Sequence, residues 1–252
     1  DGRWLEGTPG GGARVVLAGD SLALATPASR VGGQLVDLTV DGPVTAEASC
    51  DGTTDLYGRA TCLVTNLTAS SLHAAGFVDV VGRVTLGALT TAARGGLGSQ
   101  DYGAVFTVTG RIRNRGVLGQ GNGGQNLTVR VGGDLHNAGR WTPGETRLLP
   151  GRHVMTQEGD VAFERQFALE AGAAPVAGSD VTVAYIFPLG ENTFDLGAHT
   201  LRFVRREGSG GGYPGSLTGP GTLRSTGGTI RGDASSSTTS SLQNVRVEGA
   251  VT

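Results

Sequence analysis

The amino-acid sequence predicts an all-β fold and, within that class, a parallel β-helix, which is a solenoid of stacked coils. Three observations lead to this prediction. Apolar and polar residues alternate over short stretches that are bounded by Gly, Asn, Asp or Pro. Glycine occupies 45 of the 252 positions, well above the roughly 7% of an average protein. Finally, one segment of the chain repeats its neighbour at a fixed offset.

The alternating stretches are typical of strands that bury one face and expose the other. Clear examples are residues 14–17, 35–40, 78–81, 181–186 and 245–247. Helical periodicity is almost absent. The one stretch with some helical character, residues 162–173, ends in a run rich in Gly, Ala and Pro. The chain is therefore predicted to consist of many short strands.

The repeat joins residues 106–118 to residues 129–141 at an offset of 23. Apolar residues align at four positions, 106/129, 108/131, 112/135 and 118/141. The other matched pairs are Gly110 with Gly133, Gly116 with Gly139, and Asn114 with Asn137. We expect these glycines where the chain bends with positive φ or approaches a neighbour closely. Intervening positions vary freely, as Thr107 against Arg130, so their side chains are expected to point outward.

A unit of about 23 residues cannot bury its apolar face alone, but stacked copies bury a continuous core. Each strand then pairs with the same strand one coil later, and Asn114 can stack on Asn137 as an amide ladder in a turn. Towards the N-terminus, Gly82 and Val84 lie 28 residues before Gly110 and Ile112. This offset predicts a lateral loop at 93–103. Further coils are expected at 200–203, 216–223, 228–232 and 242–249.

Two motifs carry a family resemblance. The pattern Val-x-Gly-x-Leu-x-Asn-x-Gly at 131–139 and the runs at 217–223 and 227–230 resemble the right-handed β-helices of bacterial surface adhesins, autotransporter passengers and haemagglutinin-like proteins. The resemblance covers 104–252 and, more loosely, 1–103. It implies a single β-helix domain over residues 1–252, located outside the cell or on its surface. Residues 54–60 also resemble a hairpin of bacterial Ig-like repeats, which leaves a small sandwich near 13–70, with a boundary near 70–76, as the alternative.

Composition excludes several functional classes. The net charge is −2 and the 20 basic residues, all Arg, form no basic block, so nothing indicates a nucleic-acid partner. No apolar run approaches the ~18 residues of a membrane span. Aromatic residues make up only 5% of the chain, so the core is expected to come from Val, Leu and Ala.

The two cysteines, Cys50 and Cys62, flank a turn-rich stretch. If the chain is exported, they can form a disulfide that stabilises the fold by roughly 3 kcal/mol at most; the other interpretation is two independent buried thiols. Without a nearby pair of histidines they do not indicate a zinc site. Asp51 and Asp55 are better explained as turn residues than as calcium ligands. No cofactor is expected.

The best candidate for chemistry is a strip on neighbouring coils, formed by Arg111, Arg113, Asp134 and His136. Alternation places Asp134 and His136 on one solvent-exposed face, one coil from the two arginines. This arrangement fits a strip that binds an anion or a sugar acid. The favoured interpretation, however, is a solvated face with cross-coil ion pairs, each contributing under ~1 kcal/mol. A threonine face for ice binding is excluded, because Thr107 aligns with Arg130 and Thr109 with Gly132.

The sequence therefore favours a non-catalytic structural protein, an adhesin or fibre segment that self-associates, head to tail into filaments, and contacts surface glycans. Lateral loops at 93–103, 119–125, 207–214 and 233–241 are expected to display its contact surface. The alternatives are a β-helix enzyme that acts on polysaccharides, which needs paired carboxylates, and a carbohydrate-binding module. For the module, Trp141 and Tyr102 are the candidate aromatic platforms.

Overall fold

The computed structural model describes residues 2–4, 13–16, 22–24, 34–50, 62–99, 103–119, 127–204, 215–231 and 241–252. All regular elements in these ranges are strands, and every pairing between them is parallel. This confirms the predicted all-β fold and its parallel β-solenoid architecture. The described residues include no helix long and apolar enough to cross a membrane.

The strands are short, apart from a few that bend around a corner of the coil. In the N-terminal part they are β1 (Gly2–Trp4), β2 (Ala13–Val16), β3 (Leu22–Leu24), β4 (Gln34–Ala46), β5 (Cys62–Ala74), β6 (Phe77–Val81), β7 (Arg83–Thr91), β8 (Gly96–Gly98) and β9 (Val105–Val108). In the centre they are β10 (Ile112–Asn114), β11 (Val117–Leu118), β12 (Thr128–Val131), β13 (Leu135–Asn137), β14 (Arg140–Trp141), β15 (Glu145–Leu148), β16 (Gly151–Gln157), β17 (Gln166–Leu169) and β18 (Ala173–Ala177). In the C-terminal part they are β19 (Val181–Val183), β20 (Ile186–Pro188), β21 (Thr193–Gly197), β22 (Thr200–Phe203), β23 (Ser216–Thr218), β24 (Thr222–Arg231), β25 (Ser241–Gln243) and β26 (Arg246–Val251).

Each coil contributes one strand to each of three faces, in the order C, A, B. Face C comprises 34–36 of β4, 62–65 of β5, and then β6, β8, β11, β14, the bridging residue Phe163, β19, β22 and 229–231 of β24. Face A comprises β2, 38–41 of β4, 67–69 of β5, 83–86 of β7, and then β9, β12, β15 and β17, and in the last coils β20, β23 and β25, which form a separate three-stranded sheet. Face B comprises β1, β3, 43–46 of β4, 71–74 of β5, 88–91 of β7, and then β10, β13, β16, β18, β21, 222–228 of β24 and β26.

The register confirms the predicted offset of 23 at every aligned strand. Phe106 pairs with Val129 on face A, Ile112 with Leu135 on face B, and Leu118 with Trp141 on face C. The predicted offset of 28 is wrong. Val84 pairs with Phe106 rather than with Ile112, whose partner is Leu89. The error arose because the strands of faces A and B have the same alternation of apolar and polar residues. An alignment of Val84 on face A with Ile112 on face B therefore still matches apolar residues to apolar residues.

The lateral loop predicted at 93–103 is wrong for part of its length. Residues 96–98 form β8, which pairs with β6 and β11 on face C. Residues 100–102, 120–125, 207–214 and 233–240 of the predicted loops lie outside the described residues. The Ig-like alternative is also wrong for the described part of 13–70. β4 and β5 pair in parallel over all three faces, whereas a sandwich of that type is built from antiparallel strands.

The chain turns from one face to the next at residues whose types tolerate the required backbone conformation. At the corner between faces C and A, Asp37, Asn66 and Gly82 adopt positive φ in three successive coils. These residue types tolerate the left-handed conformation best. Nδ2 of Asn66 donates to Oδ1 of Asp37 at 2.7 Å, and Oδ1 of Asn66 accepts from the backbone N–H of Arg83 at 3.0 Å. Each coil therefore helps to fix the corner of the next.

The core is apolar and runs along the solenoid axis through all three faces. Most of its residues are Val, Leu and Ala, as expected, and in the later coils a row of aromatic rings is added to them. The rings follow one another with centroids 4.7 to 5.7 Å apart, in the order Trp141, Phe163, Phe167, Phe187 and Phe194. All five side chains are fully buried.

Candidate functional site

The residues of the predicted strip lie on face B, but the side chains of Asp134 and His136 contact the following coil and not the arginines of the preceding one. Arg113 and His136 are register neighbours, as expected. Nδ1 of His136 lies 2.9 Å from Oγ1 of Thr156, and Oδ1 of Asp134 accepts from the backbone N–H of Val154 at 2.9 Å. Nε2 of His136 also lies 3.3 Å from Oε1 of Glu158. Arg111 and Arg113 are exposed, and neither forms an ion pair with another of the described residues.

A second candidate site lies on face A, one face away from this strip. It is a groove of about 650 Å³ on the outer surface of β7, β9, β12 and β15. The lining residues are Arg83, Thr85, Val105, Thr107, Thr128, Arg130 and Arg147. Threonines and one valine form its floor, and arginines stand at both ends. We call this space the arginine groove.

The groove results from two outward-facing columns on face A. One column contains Arg83, Val105, Thr128 and Glu145, and the other contains Thr85, Thr107, Arg130 and Arg147. In each strand the residue between the two outward-facing positions points into the core, as the burial of Val84, Phe106 and Val129 shows. Since strands of neighbouring coils lie ~4.8 Å apart, Arg83 and Arg130 are separated by roughly 10 Å along the axis. The short side chains of the coil between them leave the groove open.

Two carboxylates partly neutralise the arginines. Nη2 of Arg130 donates to Oε1 of Glu170 at 2.8 Å, and Nη2 of Arg147 donates to Oε1 of Glu145 at 2.7 Å. Both pairs are partly exposed, so each contributes little to stability. Nε of Arg130 is buried and has no hydrogen-bond partner within the described residues. With Arg83 included, the groove carries one excess positive charge.

The interior holds a second polar arrangement, which is structural. Thr91, Asn114 and Asn137 are buried neighbours in register on face B. Oγ1 of Thr91 donates to Oδ1 of Asn114 at 2.6 Å, and Nδ2 of Asn114 donates to Oδ1 of Asn137 at 2.9 Å. The predicted amide stack thus lies inside the solenoid, at the corner between faces B and C, where it satisfies backbone groups of the turns.

The four matched glycines lie at two corners of the coil, where the backbone of one coil comes close to that of the preceding coil. A Cβ on Gly110 or Gly133 would meet the backbone of the preceding coil at Gly87 or Gly110, between faces A and B. A Cβ on Gly116 or Gly139 would meet Gly95 or Gly116, between faces B and C. None of the four has positive φ. Of the two reasons expected for these glycines, the close approach is therefore the one that applies.

The cysteine pair is a disulfide. Cys50 and Cys62 are fully buried and bonded, with their Cα atoms 5.3 Å apart. Cys50 lies just after β4 and Cys62 is the first residue of β5, so the bond links two coils across a sequence separation of 12. The prediction of a disulfide is confirmed, and the interpretation as two independent thiols is wrong. Asp51 and Asp55 lie outside the described residues.

Sequence reasoning missed the arginine groove for a specific reason. Arg130 was recognised as outward-facing, but Arg147 joins its column through a coil step of only 17 residues, which the 23-residue repeat does not predict. Trp141 was considered as an aromatic platform, yet it is fully buried and donates from Nε1 to Oγ1 of Thr146 at 2.8 Å. Tyr102, the other aromatic candidate, lies outside the described residues.

Comparison of the chain with protein-family profiles, curated proteins and solved structures finds no match. Among the described residues, no group of three or more His, Cys, Asp and Glu side chains is arranged to hold a metal ion.

Proposed function

We propose that this chain is a non-catalytic structural segment of an extracellular or cell-surface protein, an adhesin or fibre segment whose stacked coils form a rigid rod. The observation that carries the proposal is the continuity of face B, on which parallel pairing links β1 to β26 through every coil described. A rod of this kind holds its surface at a fixed geometry over a length of roughly 50 Å.

The disulfide supports the extracellular part of the proposal. Disulfides persist in oxidising compartments and are rare in reducing ones. The bond between Cys50 and Cys62 closes a link between coils, so it strengthens the solenoid itself and not an appended loop. This is the role expected of a cross-link in a protein that has to keep its shape outside the cell.

The contacts of the polar side chains support a structural role over a catalytic one. A glycoside hydrolase uses two carboxyl groups that face each other across the substrate. Here Asp134 is bound to a backbone N–H of the next coil, and Glu145 and Glu170 each pair with an arginine. These carboxylates hold neighbouring side chains and strands in place.

Turnover assays separate this proposal from a polysaccharide-active enzyme. The purified chain is incubated with acidic and neutral polysaccharides, and reducing ends and unsaturated products are measured over time. We expect no release above a heat-treated control. Sustained release that scales with protein concentration would contradict the structural function.

Imaging tests the rod and its assembly. Electron microscopy and light scattering over a concentration series should show stiff particles, and head-to-tail association should give filaments whose axial repeat is a multiple of the ~4.8 Å coil rise. Particles that stay monomeric at every concentration would contradict filament assembly. Flexible or globular particles would contradict the rod.

A further inference from the structure

We propose that the arginine groove on face A binds a carboxylated oligosaccharide, a stretch of polyuronate that lies between Arg83 at one end and Arg130 with Arg147 at the other. This site goes beyond the structural role proposed above. The groove has a defined volume of about 650 Å³, lies on regular strands, and is therefore held rigidly. Its ligand is an acidic sugar because cationic ends and a hydroxylated floor occur together.

The ends of the groove are built for carboxylates. An arginine has five N–H donors and binds a carboxylate through a planar fork. Arg130 uses only Nη2 towards Glu170 and its side chain is 40% exposed, so Nη1 is left to donate, whereas the buried Nε is out of a ligand's reach. Arg147 uses Nε and Nη2 on a single oxygen of Glu145. Both arginines thus keep donors for a second carboxylate, and the existing partners show which anion they accept.

Arg83 supplies the charge that is not balanced within the groove. Its side chain is exposed, and the two glutamates of the groove pair with the other arginines. It lies two coils from Arg130, roughly 10 Å along the axis, which is the length of a disaccharide. A polyuronate can therefore place one carboxylate on Arg83 and another on Arg130 or Arg147.

The floor between the arginines suits sugar rings. Thr85, Thr107 and Thr128 offer hydroxyl groups that both donate and accept hydrogen bonds. Val105 offers an apolar patch for the C–H groups of a ring. Nucleic acid fits this surface less well, because single strands require stacking on aromatic side chains and none of the described residues that line the groove is aromatic. The low net charge also disfavours a highly charged polymer.

The binding test uses the full chain and an oligogalacturonate of about eight units, measured by isothermal titration calorimetry at two salt concentrations. The fully methyl-esterified oligomer removes the carboxylates, and poly-glutamate of matched length keeps them without sugar rings. We expect saturable binding of the oligogalacturonate, with at least tenfold weaker binding of both comparison probes. Equal affinity for poly-glutamate, equal affinity for the methyl ester, or no binding of the oligogalacturonate would overturn the proposal.

Four variants locate the site. Arg83→Gln should weaken oligogalacturonate binding at least tenfold, and Thr107→Val, which keeps the shape but removes the hydroxyl, should weaken it severalfold. Glu170→Gln should strengthen binding severalfold, because it removes the carboxylate that competes for Arg130. Arg202→Gln changes an exposed arginine on face C, outside both candidate sites, and is the matched control, with unchanged affinity expected.

The variants are compared only after circular dichroism has shown the same strand signal as the parent chain. An equal loss of affinity in Arg83→Gln and Arg202→Gln would show non-specific attraction and overturn the site. Unchanged affinity in Arg83→Gln and Thr107→Val would overturn it as well. The turnover assays described above do not depend on this result, so the site and the structural role can fail separately.

Discussion

Asn114 donates a hydrogen bond from Nδ2 to Oδ1 of Asn137, 2.9 Å away, one coil further along the solenoid. Both side chains are fully buried. Oδ1 of Asn114 in turn accepts from Oγ1 of Thr91, and Nδ2 of Asn114 also donates to the backbone carbonyl of Arg140 at 3.0 Å. The amide ladder therefore connects three coils and binds the turn that leads out of face B.

Asn114→Ala should destabilise the fold by about 2–4 kcal/mol. The change breaks the ladder and leaves buried partners of Asn114 without hydrogen bonds, which costs more than the bonds themselves contribute. Urea unfolding followed by circular dichroism gives the free energy of unfolding. Thr68→Ala on face A is the control, because its side chain is exposed and its effect should stay within ~0.5 kcal/mol. Equal stability of the two variants would show that the ladder is not a structural element.

Gly116→Ala should cost about 3 kcal/mol or more, because a Cβ there would overlap the carbonyl oxygens of Gly95 and Ala92 and backbone atoms have little room to move. Gly159→Ala separates this steric effect from backbone strain. Gly159 has φ +73° with open space around its Cβ position, so its substitution should cost only about 1–2 kcal/mol. Thermal unfolding of both variants measures the difference, and a larger loss in Gly159→Ala would contradict the close approach of the coils.

The double variant Cys50→Ser/Cys62→Ser should lose up to about 3 kcal/mol, the chain-entropy value for a short closed loop. Differential scanning calorimetry with and without reductant provides the measurement. Reductant should lower the unfolding temperature of the parent chain and leave that of the double variant unchanged. An identical response of both proteins would mean that the cysteines do not form the bond.

His153→Ala should destabilise the fold by about 2–4 kcal/mol, through a cavity and the loss of buried hydrogen bonding. His153 is fully buried between two backbone carbonyls, with Nδ1 2.8 Å from O of Gly133 and Nε2 2.6 Å from O of Leu149. His199→Ala is the matched control, because the His199 side chain is 40% exposed. Urea unfolding of both variants checks this, and similar losses would contradict a structural role for His153.

The sequence predicted those parts of the fold in which two coils have the same length. Residues 106–118 and 129–141 repeat because both coils have the same turns, so Asn114 and Asn137 could be aligned without coordinates. Where coil lengths change, the alternation of apolar residues matches several registers equally well. Val84 was therefore aligned with Ile112, one face away from its actual partner Phe106.

For the candidate site, the sequence predicted the type of residue involved, exposed arginines, but not the groove that they form. Arginines were expected on an outward face, and Arg111 and Arg113 are exposed as expected. Whether arginines enclose a groove depends on what lies between them. That follows from the columns of face A, where steps of 22, 23 and 17 residues bring Thr85, Thr107, Arg130 and Arg147 into one line. A sequence pattern with a single period does not contain this information.

Distances between spin labels on face A test the solenoid most directly. Thr39, Thr107 and Ala168 belong to one column, with Thr107 three coils and Ala168 six coils from Thr39. At ~4.8 Å per coil, backbone separations of roughly 14 and 29 Å follow. Pulsed electron spin resonance on the pairs 39/107 and 39/168 should show the second distance longer than the first by about 14 Å, with narrow distributions. Equal distances, or a shorter distance for 39/168, would contradict the stacked coils on which the account rests.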